Sequence, residues 1–396
     1  MRVVQNSNNI IRVLKLIWLN PGISRIEVSK QIGLDRSTIT VVVNRLSDLG
    51  LIEEIIDSKS PSKIGRTPIG LKICDKTGIL LGLEIRTDYF VAVLVGLNGD
   101  IIDTIKGEVK ESSSFFNTFS KIYKRVSIEI EKTNFPLLAI GVATSGIINT
   151  YEGIILGSNP FGIHEPENFY DEVKKIVDVP IFIENDANCG CWNELSTSRD
   201  SRDQDFLFIL GEFRQARFLG DKTHLLAIGI GTVIDKNVHY GKGFSAGEYK
   251  SPQYISGNKT QFSISDDELS LIKTDRAIFN RIKDELARDM AFLVNMLNLT
   301  QIILGGDLVK YIDEFEPCLK AEIQRNSSYK EDKNNFKIKA APLGIESIAF
   351  GAASMIREHL FLTYENDFEN PWFQKVGIKL LNSFSHTIRN YDYNER

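Results

Sequence analysis

The chain has 396 residues, 42% of them hydrophobic, which is enough to fill two or three cores and excludes a single small module. Its net charge of −5 divides unevenly: residues 1–78 hold 12 Lys/Arg against 7 Asp/Glu and the remainder 35 against 45, so only the N-terminal part has the sign to approach a polyanion. Four cysteines, Cys74, Cys189, Cys191 and Cys318, lack paired spacing and fit a reducing compartment rather than a disulfide framework. No run is long and apolar enough to span a membrane, and the first apolar stretch is broken by Arg12 and Lys15 at helical spacing, so it reads as an amphipathic helix and not a leader. A cytoplasmic location is expected.

Ile10, Ile11, Val13, Leu14, Ile17 and Trp18 predict the first helix. Ser24 to Ile52 then reads as two short helices joined by a glycine turn, followed by a strand. Ile26, Val28 and Ile32 are assigned to the inner face of the first; Gly33 permits a left-handed turn; Asp35 caps a second helix whose inner face is Ile39, Val42, Val43 and Leu46. The outer face of that second helix carries Arg36, Ser37, Thr38, Thr40 and Asn44, short hydrogen-bonding side chains of the kind that read base edges in a major groove. The next segment reads as strand, basic loop, strand, with Lys59, Lys63 and Arg66 beside Gly and Pro, a wing suited to phosphates or a minor groove. Ser24, Arg25, Arg36, Ser37, Thr38, Thr40, Asn44, Lys63 and Arg66 are therefore the candidate contacts to double-stranded operator DNA. A domain this modestly basic neutralises few phosphates, so tight binding predicts a homodimer, or a higher homo-oligomer, on a pseudo-palindromic site.

From residue 79 the pattern alternates β-rich and helical runs, which predicts an α/β body with mixed sheets. Residues 79–200 form a first lobe and 201–360 a second, with helices from about Ser114 to Lys132 and Asp275 to Leu299; 361–396 form a tail of no assigned role. Two such lobes leave a cleft for a small ligand.

The succession ISRIEVSKQIGLDRSTIT, GRTP, GVATSGIIN, PIFIENDAN, YGKGFSAGEYKS and IILGGDLV resembles the ROK family, which contains sugar-responsive repressors and bacterial sugar kinases. The resemblance runs from about Asn9 to Arg357 and implies an α/β chain in which a winged helix-turn-helix precedes a two-lobed actin-like, hexokinase-like ATPase-type fold. It places Asp186 where the kinases hold the carboxylate that deprotonates the reacting hydroxyl, with Asn185 beside it; it aligns Glu248 with a glutamate that contacts sugar hydroxyls, and offers Asn159 as a third sugar contact. An Asp between amide side chains at a strand end suits bidentate bonding to vicinal hydroxyls, and it equally suits capping of the helix that follows.

Two departures from the family pattern matter. Ser251 stands at a zinc-binding His position, and SPQYISGNKTQFSISDDE contains neither Cys nor His, so no structural metal is expected. Arg86 replaces a phosphate-loop glycine and Glu84 a metal-organising Asp, AIGIGTVID lacks the Gly-Thr-Gly order, and Gly305-Gly306 remains as a lone pair. The expected protein is a regulator without catalytic residues or cofactor, released from DNA by a sugar or sugar phosphate; the alternative is a ROK kinase that phosphorylates a hexose with ATP.

Overall fold

The computed structural model describes residues 2–48, 50–56, 69–109, 114–197, 205–215, 224–327 and 336–362. The wing residues Lys59, Lys63 and Arg66 and the tail from 363 onward lie outside them.

The N-terminal domain runs α1 (Arg2–Leu19), β1 (Ile23–Ser24), α2 (Arg25–Ile32), α3 (Arg36–Asp48), β2 (Ile52–Ile56) and β3 (Ile69–Ile73), with the antiparallel sheet ordered β1-β3-β2. Local chemistry fixes the helix pair. Ser24 N–H and Oγ donate to Glu27 Oε2 (2.9 and 2.7 Å) and Glu27 N–H donates back to Ser24 Oγ (3.3 Å), a reciprocal cap that starts α2. Gly33 ends it at φ 75°, where a β-carbon would be strained. Asp35 then accepts from Thr38 N–H (2.9 Å), Thr38 Oγ1 (2.9 Å) and Ser37 Oγ, and these bonds, the Ser37 hydroxyl foremost, hold its carboxyl down to about 2. Val13, Ile17, Val28, Ile39, Val43, Leu46 and Leu71 form the wholly buried centre. Ile26 departs from its assignment: it is 48% exposed, because eight residues of helix bury only the Val28–Ser29 side.

The first lobe comprises β4 (Ile79–Ile85), β5 (Tyr89–Gly96), β6 (Ile101–Glu108), α4 (Phe115–Thr133), β7 (Leu137–Thr144), a small sheet of β8 (Ile147–Asn149), β9 (Ile154–Gly157) and β10 (Glu167–Asn168), then α5 (Phe169–Val173), β11 (Ile181–Asn185) and α6 (Asp186–Thr197). The second comprises β12 (Phe206–Gln215), β13 (His224–Ile234), β14 (Asn237–Val238), α7 (Asp266–Ser270), α8 (Arg276–Met296), β15 (Gln301–Gly306), α9 (Ile312–Asn326), β16 (Lys337–Ala340) and α10 (Ser347–Leu362).

The two large sheets have the same plan. The first is ordered β11-β7-β4-β5-β6 and the second β16-β15-β12-β13-β14, and in each the first three strands are parallel and the last two antiparallel. In the first sheet Ile85, Thr144 and Asn185 fall in one row at the carboxyl ends of β4, β7 and β11, so Arg86, Ser145 and Asp186 emerge together, at the edge where α/β sheets bind ligands.

Residues 347–360, expected in the second lobe, pack on the first. Helix α10 leaves the second lobe and lies on the first sheet, so close that a β-carbon on Gly82 or Gly141 would sit 1.9 or 2.3 Å from the carbonyls of Ala349 or Ala352. Only glycine admits a helix backbone onto a strand at that distance.

Candidate DNA-reading face and interlobe site

On α3, Arg36, Ser37, Thr40, Val41, Asn44 and Arg45 are exposed, and Thr38 is half-buried. Several expected contacts are engaged within the domain. Ser24 belongs to the α2 cap, Ser37 and Thr38 to the Asp35 cap, and Thr40 Oγ1 donates to the Arg36 carbonyl (2.8 Å). Arg25 donates to Asn44 Oδ1 (2.8 Å) and pairs with Glu54 (2.7 Å), tying α2, α3 and β2 together. Arg36 and the Asn44 amide nitrogen keep their outward positions. Arg45, exposed on the same helix, is not among the expected contacts, and reading by polarity passes over Val41, which is 68% exposed.

In the interlobe region, β13 lies against the start of α6. A β-carbon on Gly229 would meet Ala187 Cβ at 3.3 Å and Asp186 Oδ1 at 3.8 Å, which puts the Asp186 carboxylate, itself 5% exposed, at the seam between lobes. Asn185, and not Asp186, is the principal helix cap: its Oδ1 accepts from the N–H groups of Ala187 (2.9 Å) and Asn188 (3.2 Å), while Nδ2 donates to Gly146 O (3.0 Å). Asp186 Oδ1 takes a further bond from Ala187 N–H (2.9 Å). The loop with Asn159 joins the same edge through Ser158 Oγ, which donates to Ser145 O (2.7 Å); Asn159 is exposed there. Glu248 is exposed on a second-lobe loop pinned to β13 by the Ile230 N–H to Gly247 O bond (3.2 Å), one residue from Gly229. The four expected sugar contacts thus gather about one seam, with Asn185 committed to structure.

Four side chains that pattern reasoning missed complete the site. Tyr151 of the first lobe stands edge-on to Tyr240 (5.7 Å) and Phe244 (5.4 Å) of the second, an aromatic wall across the lobes. Glu184, wholly buried, accepts from Asn185 N–H (2.7 Å) and Asn188 Nδ2 (3.1 Å) through Oε1. Burial pushes Glu184 up to about 7, against the pull of those bonds and of the Tyr240 and Thr150 hydroxyls. Its signal in the sequence is a charge inside the otherwise apolar strand IFIE. Because the folded protein holds this proton more tightly than the unfolded chain, whose carboxyl titrates near 4.5, the contribution to stability is present below pH 4.5 and is lost as pH rises through about 7. Glu184→Gln is expected to flatten the decline in melting temperature between about pH 5 and 7.5; an unchanged profile in a melting series would reject this assignment.

At the floor of the cleft Arg86, 8% exposed, donates to Glu212 Oε1 of β12 (2.6 Å) and to the Tyr89 hydroxyl (2.9 Å), lies 3.5 Å from Asp88, and stacks 4.4 Å from the Tyr89 ring. Glu84, Glu212 and Asp307 stand about it. The other glycines that could cradle phosphates face side chains or backbone: β-carbons on Gly231, Gly305 and Gly306 would lie 2.3, 2.5 and 2.6 Å from Cys191 Sγ, Phe208 Cζ and Gly211 O. A guanidinium among carboxylates, with the glycines closed by packing, does not fit a triphosphate.

The segment expected to lack zinc is laced by other bonds. Gln261 Nε2 donates to the carbonyls of Ile228 and Tyr249 (2.8 Å each) and its Oε1 accepts from Ile228 N–H (2.7 Å). Buried Glu285 accepts from Ser263 N–H and Oγ (2.9 and 2.5 Å), and Ser251, 4% exposed, accepts from Gln253 N–H (3.2 Å). Among the described residues no cluster of three His, Cys, Asp or Glu is set to hold a metal, and burial raises the Cys189 and Cys191 thiols well above their ordinary range.

The winged helix-turn-helix DNA-binding family matches residues 7–53, and the ROK family matches residues 80–213. The ROK match thus lies within the α/β body, behind the winged helix-turn-helix match. The chain is 25% identical over 391 residues to the xylose repressor of Bacillus spizizenii, spanning 88% of this chain and 94% of that one. The crystal structure of a ROK family transcriptional regulator, homologue of the Escherichia coli MLC protein, superposes with a TM-score of 0.70 at 18% identity, covering 95% of this chain and 98% of that one. A ROK family glucokinase from Streptomyces griseus superposes with a TM-score of 0.53 at 16% identity, covering 70% of this chain and 99% of its own. The body therefore has the fold of the ROK glucokinase, with a winged helix-turn-helix domain in front. Among its described residues no helix is long and apolar enough to cross a membrane.

Proposed function

We propose that the chain is a sugar-responsive transcriptional repressor of carbohydrate-metabolism genes that works in the cytoplasm as a homodimer on operator DNA. The observation that carries this reading is a reading helix, α3, left exposed on a domain packed against the same lobe that presents Asp186. Arg86 favours a sensor over an enzyme, since its pairing with Glu212 occupies the place a kinase reserves for phosphates. Asp186, Asn159 and Glu248 are the proposed sugar contacts and Asn185 their positioner. Arg25, Arg36 and Asn44 face DNA directly, with Ser24, Ser37, Thr38 and Thr40 holding the helices that present them; Lys63 and Arg66 are wing contacts. The names of the relatives make D-xylose the first sugar to test.

The test is a fluorescence titration of DNA selected from a random-sequence library. Arg36→Ala is expected to weaken binding by roughly tenfold, as loss of one base or phosphate contact does, while leaving sugar affinity unchanged. Equal loss of both would reject separate sites. Val41 gives a second expectation: as an exposed apolar side chain on the reading face it matches a thymine methyl. Replacing that thymine by uracil should cost wild type about fourfold, the value of one buried methyl, and leave Val41→Ala indifferent.

A further inference from the structure

Arg357 of α10, 3% exposed, stands where three parts of the molecule meet. Its Nη2 donates to Ser196 Oγ in the last turn of α6. Its Nη1 approaches the β5–β6 turn so closely that a β-carbon on Gly99 would be 1.9 Å away. Its guanidinium carbon lies 5.9 Å from the ring of Trp18 on α1 and 5.8 Å from that of Phe350. Trp18 Nε1 in turn donates to Leu97 O (3.1 Å), and Asn98 Nδ2 of the same turn donates to Ile73 O of β3 (3.2 Å). The DNA-binding domain is therefore seated on the β5–β6 turn and α10, with the Arg357 guanidinium at the seam.

The other end of α6 carries Asn185 and Asp186, about 18 Å away along twelve residues of helix. Helices α6 and α10 are joined rigidly: a β-carbon on Gly351 would lie 1.8 Å from Cys189 O, Trp192 meets His359 edge-on at 4.9 Å, and Asn193 Nδ2 donates to Ser347 Oγ (2.7 Å). A displacement at the seam between lobes reaches Arg357 through packed backbone. An apolar side chain would fill the position at lower desolvation cost; what arginine adds is a planar fork whose donors fix an angle.

We propose that Arg357 is the positioning residue that couples occupancy of the interlobe site to the seating of the DNA-binding domain. The guanidinium, held between Ser196, Gly99 and Trp18, fixes α1 and hence α3; a shift of α6 on sugar binding changes that set and frees the domain to turn. The inference rests on the repressor reading above.

The experiment measures DNA affinity with and without saturating D-xylose, or the first sugar of a panel that raises the melting temperature, and sugar affinity with and without the selected DNA. In wild type the sugar is expected to weaken DNA binding about thirtyfold, and DNA to weaken sugar binding equally. Arg357→Met should bring sugar-free DNA affinity down towards the value wild type shows with sugar, so that the mutual effect falls below about threefold, and Arg357→Lys should restore part of both. Undiminished coupling in Arg357→Met overturns the proposal. Should that variant fail to fold, Ser196→Ala, which removes the acceptor of the Arg357 bond, takes its place: the mutual effect is expected to fall, and undiminished coupling there also overturns the proposal. Wild type in which no sugar affects DNA binding would instead overturn the repressor reading, and this inference with it.

Discussion

Asp186→Ala is expected to lower sugar affinity by about two orders of magnitude while leaving operator affinity unchanged, giving a repressor that no sugar releases. The carboxylate is 5% exposed, and two charge-assisted bonds to vicinal hydroxyls together amount to roughly 3 kcal/mol, or about a hundredfold. Stability should change little, because Asn185 supplies the main cap of α6 and remains. Asp186→Asn, with the same shape but neutral bonds, should fall between. Isothermal titration for the sugar and anisotropy for the DNA check the two halves of the statement; an Ala variant with wild-type sugar affinity would remove Asp186 from the site.

Arg86→Ala should instead act on the fold. Removing one member of a buried pair leaves Glu212, itself 3% exposed, without its partner and costs about 3–5 kcal/mol. For a chain of 396 residues that corresponds to a fall of about 5 °C in melting temperature. The double change Arg86→Met/Glu212→Met should recover most of the loss, because replacing both charges by apolar groups removes the desolvation cost along with the attraction. Arg86→Gly should not restore ATP turnover, since Gly231, Gly305 and Gly306 would still face Cys191, Phe208 and Gly211. Melting curves and a coupled ATPase assay decide; an Ala variant that melts with wild type shows the bridge to be superficial, and turnover in the Gly variant would revive the kinase alternative.

What could be read in advance was what is settled locally. Gly33 and Asp35 mark helix ends by their own conformational and hydrogen-bonding preferences, and the structure uses both so; the helices expected from about Ser114 and Asp275 begin there, on caps that residue pattern alone does not assign. The misplacement of Ile26 has a local cause too: eight residues give barely two turns, too few for an apolar period to define a face. Distant partnerships were beyond reach. The substitution at Arg86 was visible as a loss for ATP, but its partner Glu212 lies 126 residues away, so the bridge between lobes was not. The same holds for α10, whose place on the first sheet depends on Gly82 and Gly141 in strands far upstream. Asn185, Ser37 and Thr38 were recognisable as polar groups near a site; which of them would be consumed by a neighbouring N–H is a matter of orientation, which residue type does not fix.

The lacing of residues 251–264 has a bearing on how this regulator matures. A loop whose ties are the Gln261 amide, the Glu285 carboxylate and the Ser251 and Ser263 hydroxyls is complete as soon as the chain has folded, and it waits for no ion to be delivered. Residues 251–264 hold neither Cys nor His, so these ties include no thiolate for an oxidant to attack. The loop is thereby held by ordinary folding of the second lobe, and its order follows that of β13 and α8.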